Sequence, residues 1–244
     1  RRDKAEEKYE EALEEGDKEK AEKYAKQSVR VQDEMIEQSK ELLDAMGIPW
    51  IQAPSEGEAQ AALMANRGDA WAVGSQDFDS LLFGAPVLVR NLTITGKRKL
   101  PNKEEYKEIR PEKIELERVL KKLNIDREQL VIMGILVGTD YTPGGVEGLG
   151  PKKALKLVKE EGDLRSVLEN VDWPFEKDPE EILDLFMNPP SKDDYRLEWD
   201  DPDREKIKEF LCDEHDFSES RIKKPVKRLE KNKNSGTQSR LDSF

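Results

Sequence analysis

Hydrophobic and polar residues follow changing periods along this chain, and the first segment has a helical pattern. Residues 1–46 carry a sparse apolar stripe among many Lys, Arg and Glu residues, which predicts two helices separated near Gly16. Because such helices can bury one narrow face at most, we expect them to form a projecting element.

The next segments predict a βαβ unit. Residues 47–51 have the pattern of a short strand, 55–67 that of a helix, and 70–75 that of a buried strand. This order is typical of a parallel sheet flanked by helices. A short helix over 78–83 and a strand over 86–90 are predicted to follow.

The remaining segments predict mainly helices. A polar hairpin is expected through 95–97, and helices are expected over 112–123 and 126–138. A Gly-rich turn at 144–151 opens another helix, and prolines punctuate short helices after residue 167. We therefore predict an α/β fold with a central, mostly parallel sheet flanked by helices.

The length of 244 residues suits one large α/β domain or two small ones. The residue composition changes along the chain and divides it into three parts. The charged helical segment 1–46 precedes a core over 47–232, and a polar, flexible tail follows over 233–244.

Charge and residue usage exclude several kinds of chemistry. The single cysteine excludes an internal disulfide, and the single histidine argues against a His-dependent triad or a two-His metal site. The net charge is −12, yet the run 221–228 is locally basic, and it is either a nucleic-acid contact or a solvated helix face. No apolar run is long enough to span a bilayer, so we expect a cytoplasmic protein with no membrane partner.

Three acidic groups stand beside small or turn-forming residues: Glu56 with Glu58, Asp77 with Asp79, and Asp140. Asp77 and Asp79 follow a predicted buried strand, where open α/β sheets bind their ligands. Carboxylates without His or Cys favour hard cations such as Mg²⁺ or Mn²⁺. Two such ions about 3.5 to 4 Å apart can clamp a phosphodiester.

Each acidic group also has a structural interpretation. Ser55 with Glu58 matches a capping box, Asp77 could cap the next helix, and Asp140 could be an ordinary turn residue. A carboxyl pair acting as acid and base, as in glycosidases, is the competing chemistry. It requires an aromatic sugar-binding cleft, to which the sequence does not point.

A Gly-rich string with two lysines predicts contacts with phosphate groups. Gly148 and Gly150 allow backbone N–H groups to approach an anion at a helix start, and Lys152 and Lys153 add positive charge without reading bases. A Gly-rich helix start with solvated lysines is the alternative.

Together these strings resemble the flap endonuclease family of structure-specific 5′ nucleases, most closely its archaeal form. The resemblance is carried by residues 46–50, 53–60, 74–79, 138–141 and 145–154. It implies that the five carboxylates ligate two Mg²⁺ ions, which Mn²⁺ can replace, directly or through water. It also implies cleavage at the base of 5′ flaps in DNA replication and repair, 5′-3′ exonuclease activity, and a nucleoid-associated place in an archaeal cell.

The resemblance further implies three DNA- and partner-binding segments. Residues 1–46 are similar to the family's arch, and Lys26 and Arg30 lie where basic arch residues occur. Residues near 138–162 are similar to its helix-hairpin-helix, which holds duplex phosphates and can include K⁺. The end of the chain is similar to the box that binds the sliding clamp (PCNA), with anchors at Gln238, Leu241 and Phe244.

The chain departs from the family pattern in two ways. Members carry two further catalytic aspartates before the point where this chain begins, so we expect a truncated version of an active enzyme. The clamp-binding box usually has two adjacent aromatic residues, and only Phe244 is present here. A non-catalytic module that binds DNA and the clamp is the alternative. A nuclease for single-stranded RNA is a third class, which leaves the clamp-like tail unexplained.

Overall fold

The structure is a computed structural model. It describes residues 8–13, 16–18, 20, 24, 33–93, 96–99 and 106–234. The chain divides into two compact units: a terminal unit of residues 1–51 and 196–244, and a central unit of residues 52–195. Within the described ranges, no helix combines the length and the apolar character that crossing a membrane requires.

The described residues form short strands and helices of up to a few turns. In chain order they are α1 (Asp33–Ala45), α2 (Gly57–Arg67), β1 (Val73–Gly74), α3 (Asp79–Leu82), β2 (Val87–Arg90), β3 (Gly96–Lys99), β4 (Tyr106–Ile109), β5 (Glu112–Glu115), α4 (Leu116–Leu123), α5 (Arg127–Val137), α6 (Pro151–Glu161), α7 (Leu164–Leu168), α8 (Pro179–Met187), α9 (Arg204–Lys208), a π-helix (Glu209–Glu214) and α10 (Glu219–Asn234).

The sheet of the central unit is mixed. β1 pairs with β2 in parallel, with Val73 opposite Leu88, and β2 pairs with β5 in antiparallel fashion, with Leu88 opposite Ile114. β3 and β4 form a separate antiparallel pair, so Gly96 and Lys97 lie in a strand and not at a hairpin turn. The predicted α/β class is confirmed, and its described sheet contains both pairing directions.

Residues 112–115, which the sequence predicts as the start of a helix, form β5 instead. Their backbone pairs with the free edge of β2, and the Glu112 carboxylate lies 3.6 Å from the Arg90 guanidinium across this pair. Ile114 packs against the core from the same strand. Four residues are too few to show a reliable helical periodicity, and pairing with the edge of β2 decides their conformation.

Residues 47–51, predicted as a strand, have no strand pairing in the part of the chain that the structure describes. Gly47 has φ +67°, and its carbonyl accepts a hydrogen bond from the Asp200 backbone N–H at 3.1 Å. A Cβ at this position would overlap the Asp200 carbonyl. The segment is thus a turn whose backbone packs against a distant loop of the terminal unit, and only glycine suits this turn.

α5 joins the two hydrophobic clusters of the central unit. Its residues Val131 and Ile135 are buried in the cluster that contains β2, whereas Ile132 and Leu136 are buried in the cluster that contains α6. Residues four positions apart lie on one helix face, so α5 presents two adjacent apolar faces. This helix therefore fixes the loop that follows it, 138–150, relative to the sheet.

Candidate active site

The structure places the five predicted carboxylates of the central unit on three separate segments. Glu56 is the N-cap residue of α2 and Glu58 lies in its first turn. Asp77 and Asp79 follow β1, with Asp79 starting α3, and Asp140 lies in the loop after α5.

These carboxylates share one electrostatic environment. Burial, and then the negative charges of Asp77, Asp140, Glu58 and Glu56, raise the pKa of Asp79 to about 6. Every predicted carboxylate therefore lies close enough to influence Asp79. Like charges gathered in this way need a cation if all of them are to stay ionised.

The five carboxylates are chemically suitable ligands for a divalent metal ion. They offer carboxylate oxygens only, which hard cations prefer. Among the described residues, no three His, Cys, Asp or Glu side chains converge closely enough to hold one ion in the arrangement seen. The charges of the other four carboxylates act on Asp79, and the assignment of the five as metal ligands stays a prediction.

Glu58 does not form the capping box that the sequence allows. Among the described residues, no side chain caps the start of α2, whose N-cap residue is Glu56 and not Ser55. Glu58 instead accepts a hydrogen bond from the Ser75 hydroxyl at 3.2 Å. Neither glutamate side chain is therefore used to cap α2.

Asp77 and Asp79 are separated by one residue that is not extended. The intervening Phe78 has helical backbone angles, φ −82° and ψ −12°. Asp77 also has a local role, because its Oδ1 accepts the Asp79 backbone N–H at 3.2 Å. The N-cap residue of α3 is Phe78, so Asp77 is not the cap of this helix, and its bond to the Asp79 N–H is a local turn contact.

Sequence reasoning missed two hydroxyl groups in this site. The Ser75 hydroxyl accepts the Asp77 backbone N–H at 3.1 Å while it donates to Glu58. The Tyr141 hydroxyl donates to Oε1 of Glu56 at 2.6 Å, across 85 positions of the chain. Burial, followed by the bond to Glu56, raises the pKa of Tyr141 to about 12. The sequence could have indicated both hydroxyl groups, because Ser75 and Tyr141 each lie within two positions of a predicted carboxylate.

A buried threonine holds the loop that carries Asp140. The Thr142 hydroxyl donates to the Ile135 carbonyl at 2.9 Å and accepts the Thr139 backbone N–H at 3.0 Å. Gly145, with φ +69°, donates its N–H to the Thr142 carbonyl at 2.9 Å. These bonds fasten the loop to the last turn of α5 and so fix the position of Asp140.

The Gly-rich string after this loop starts α6, as the sequence predicts. Gly150 is the N-cap residue, and in the described structure no side chain caps it and no acidic residue lies in the first turn. Lys152 and Lys153 are exposed there, and Gly148 has φ +76°. The backbone N–H groups that start the helix, the helix dipole and the two lysines favour an anion at this end.

Some predicted site residues cannot be placed. The arch residues Lys26 and Arg30 and the tail anchors Gln238, Leu241 and Phe244 lie outside the described residues. The basic run 221–228 lies in α10. Both of its interpretations stay predictions.

Comparison with known proteins identifies the family. Residues 47–140 match the XPG I-region. The entire chain aligns with flap endonuclease 1 of Aeropyrum pernix at 56% identity and covers 71% of that protein. It aligns equally completely with flap endonuclease 1 of Thermococcus onnurineus at 58% identity, covering 70% of it. The chain belongs to the flap endonuclease family.

A solved flap endonuclease has the same fold. The structure of flap endonuclease-1 from Methanococcus jannaschii superposes with a TM-score of 0.73 at 44% identity, over 93% of this chain and 66% of that one. Flap endonucleases are nucleases that hydrolyse DNA phosphodiester bonds, and they depend on divalent metal ions. The family predicted from the sequence strings is thereby confirmed.

Proposed function

We propose that this chain cleaves the phosphodiester at the base of a 5′ flap in branched DNA, with 5′-3′ exonuclease activity on the same site. The observation that supports this most strongly is the gathering of five carboxylates from three segments in a chain of this family. The proposed ligands of two Mg²⁺ ions are Glu56, Glu58, Asp77, Asp79 and Asp140. Mn²⁺ can substitute for Mg²⁺ in this proposed site.

The protein's own groups would bind and orient the DNA. When bound, the metal ions supply an activated water and stabilise the leaving oxygen. Lys152, Lys153 and the N–H groups that start α6 would hold phosphates of the duplex, with K⁺ at the helix-hairpin-helix. Since phosphate contacts carry no sequence information, the shape of the branched DNA would select the cleavage site. Such a protein would work at the nucleoid of an archaeal cell.

One assay tests this function against its two alternatives. The 244-residue chain is incubated with a 5′-flap duplex, a blunt duplex or an unstructured RNA, each with Mg²⁺ or with EDTA. Mg²⁺-dependent cleavage at the flap base supports the proposal. Flap binding without cleavage supports a non-catalytic binding module, and faster cleavage of the RNA supports an RNA nuclease.

Replacing both Lys152 and Lys153 by Ala is expected to weaken flap-DNA binding. If each lysine contacts one phosphate, the slope of log affinity against log salt should decrease by about 1 per lysine. The matched control replaces Lys121 and Lys122, an exposed lysine pair in the last turn of α4. Fluorescence anisotropy over a range of salt concentrations measures both variants. Equal salt slopes in the two variants would count against the contact.

The C-terminal tail is proposed to bind the sliding clamp. A short tail can place a few anchors in a clamp pocket and so raise the local concentration of the nuclease on DNA. Phe244→Ala is expected to abolish binding to the clamp of the same source and to leave flap cleavage without the clamp unchanged. Ser243→Ala is the neighbouring control. Calorimetric titration of each chain with the clamp tests this, and undiminished binding by Phe244→Ala would overturn the assignment.

A further inference from the structure

We propose that Tyr141 is a positioning residue, whose hydroxyl fixes the orientation of the Glu56 carboxylate in the acidic site. The inference rests on the proposed function, because it takes Glu56 as a metal ligand. It adds a group that acts through Glu56, and not a further ligand.

The contact itself is short and specific. The Tyr141 hydroxyl donates to Oε1 of Glu56 at 2.6 Å, which is within the range of a strong O–H···O⁻ bond. A carboxylate offers about four acceptor positions on its two oxygens. One hydrogen bond therefore restrains the carboxylate and leaves acceptor positions for a cation.

The core holds the tyrosine ring. The fully buried Phe186 of α8 meets it edge to face, with ring centroids 5.8 Å apart at 86°. The ammonium group of Lys177 lies 4.4 Å from the centroid of the same ring. The Trp173 indole N–H donates to the Lys177 carbonyl at 3.0 Å and so restrains the segment that carries this lysine.

The backbone of Tyr141 is restrained as well. Its N–H donates to the Thr139 hydroxyl at 3.2 Å, and that hydroxyl lies 3.1 Å from the buried Thr142 hydroxyl. Both the backbone and the ring are thus held by groups that lie outside the acidic cluster. The hydroxyl reaches Glu56 from a rigid support, as an outer partner of a metal ligand should.

This support has a clear electrostatic purpose. Glu56 is one of the four carboxylates whose charges act on Asp79, so repulsion would turn it away from the site in the absence of a donor. The hydroxyl donor offsets part of that repulsion. Loss of an outer partner of this kind typically costs 10- to 100-fold in metal affinity or activity, so we expect an effect of about that size.

Tyr141→Phe tests the inference, because it removes the hydroxyl and keeps the ring that packs on Phe186. Binding of Mn²⁺ alone is followed by the paramagnetic resonance signal of the free ion, together with kcat for flap cleavage and the Kd for flap DNA in EDTA. We expect Mn²⁺ affinity or kcat to fall by about 10- to 100-fold. The Kd for DNA in EDTA should stay unchanged, and the melting temperature in EDTA should fall by no more than the loss of one hydrogen bond explains.

Two further variants distinguish a wrong positioning role for Tyr141 from a wrong assignment of Glu56 as a ligand. Tyr195→Phe is the matched control, since that hydroxyl donates to Asp69 outside the acidic site, and it should behave as wild type. Glu56→Gln tests the ligand assignment itself. If Glu56→Gln loses Mn²⁺ affinity and Tyr141→Phe retains both affinity and kcat, the positioning role is wrong and the proposed function stands. If Glu56→Gln also binds Mn²⁺ and cleaves as wild type does, the proposed ligand set fails.

Discussion

Asp79→Asn and Glu58→Gln are each expected to abolish flap cleavage while flap DNA still binds. Each change keeps the shape of the side chain and removes one negative charge from the proposed metal site, in which four other carboxylates raise the pKa of Asp79. An amide is a much poorer ligand for a hard divalent cation than a carboxylate. Single-turnover cleavage at saturating enzyme measures the loss, and gel-shift titration in EDTA measures binding.

Glu117→Gln is the control for these two variants, because Glu117 is exposed on α4 and plays no part in the proposed site. It should cleave as wild type does. The melting temperature of Asp79→Asn in EDTA should not fall, since the change removes one of several mutually repelling charges from a half-buried position. Wild-type turnover in either Asp79→Asn or Glu58→Gln would refute the ligand assignment.

Gly145→Ala is expected to destabilise the central unit by about 3 kcal/mol and to lower cleavage as well. The residue has φ +69°, and an added Cβ would overlap the carbonyl of Val137 at the end of α5. Because packed backbone cannot yield locally, the loop that carries Asp140 and Tyr141 must move. Chemical denaturation measures the change in the free energy of unfolding.

Gly144→Ala provides a closely matched comparison. Gly144 also has a left-handed conformation, with φ +84°, but a Cβ there would meet no atom within 4 Å. This variant should therefore lose only about 1 kcal/mol, the cost of a left-handed alanine. If both variants unfold at the same denaturant concentration, the clash with Val137 does not control the stability of the loop.

The sequence predicted candidate site residues best where short motifs lie at the ends of helices and strands. Asp77 and Asp79 follow a strand, and the Gly-rich turn precedes α6, so their type and spacing indicated both a metal site and a phosphate contact. The bond between Tyr141 and Glu56 spans 85 positions, and no local pattern reports it. It depends on how α8 and the loop after α5 pack, which only the tertiary structure shows.

Prediction was least accurate for short segments whose state is decided by distant partners. Residues 112–115 read as helix from their own pattern, yet they pair with the open edge of β2. Gly47 reads as the start of a strand, yet its carbonyl accepts a hydrogen bond from Asp200. In both places the satisfaction of backbone hydrogen bonds outweighs the local periodicity.

One of the two units is continuous in sequence and the other is made of two segments, which affects the order in which they fold during synthesis. The five proposed metal ligands all lie between positions 52 and 195, in a continuous stretch, whereas the other unit contains residues from both sides of that stretch. Gly47 and Ala45 acquire their hydrogen-bond partners Asp200 and Asp203 only after these have been translated. Since contiguous domains fold as they leave the ribosome, we expect the central unit to fold before residues 196–244, which complete the other unit, have been translated.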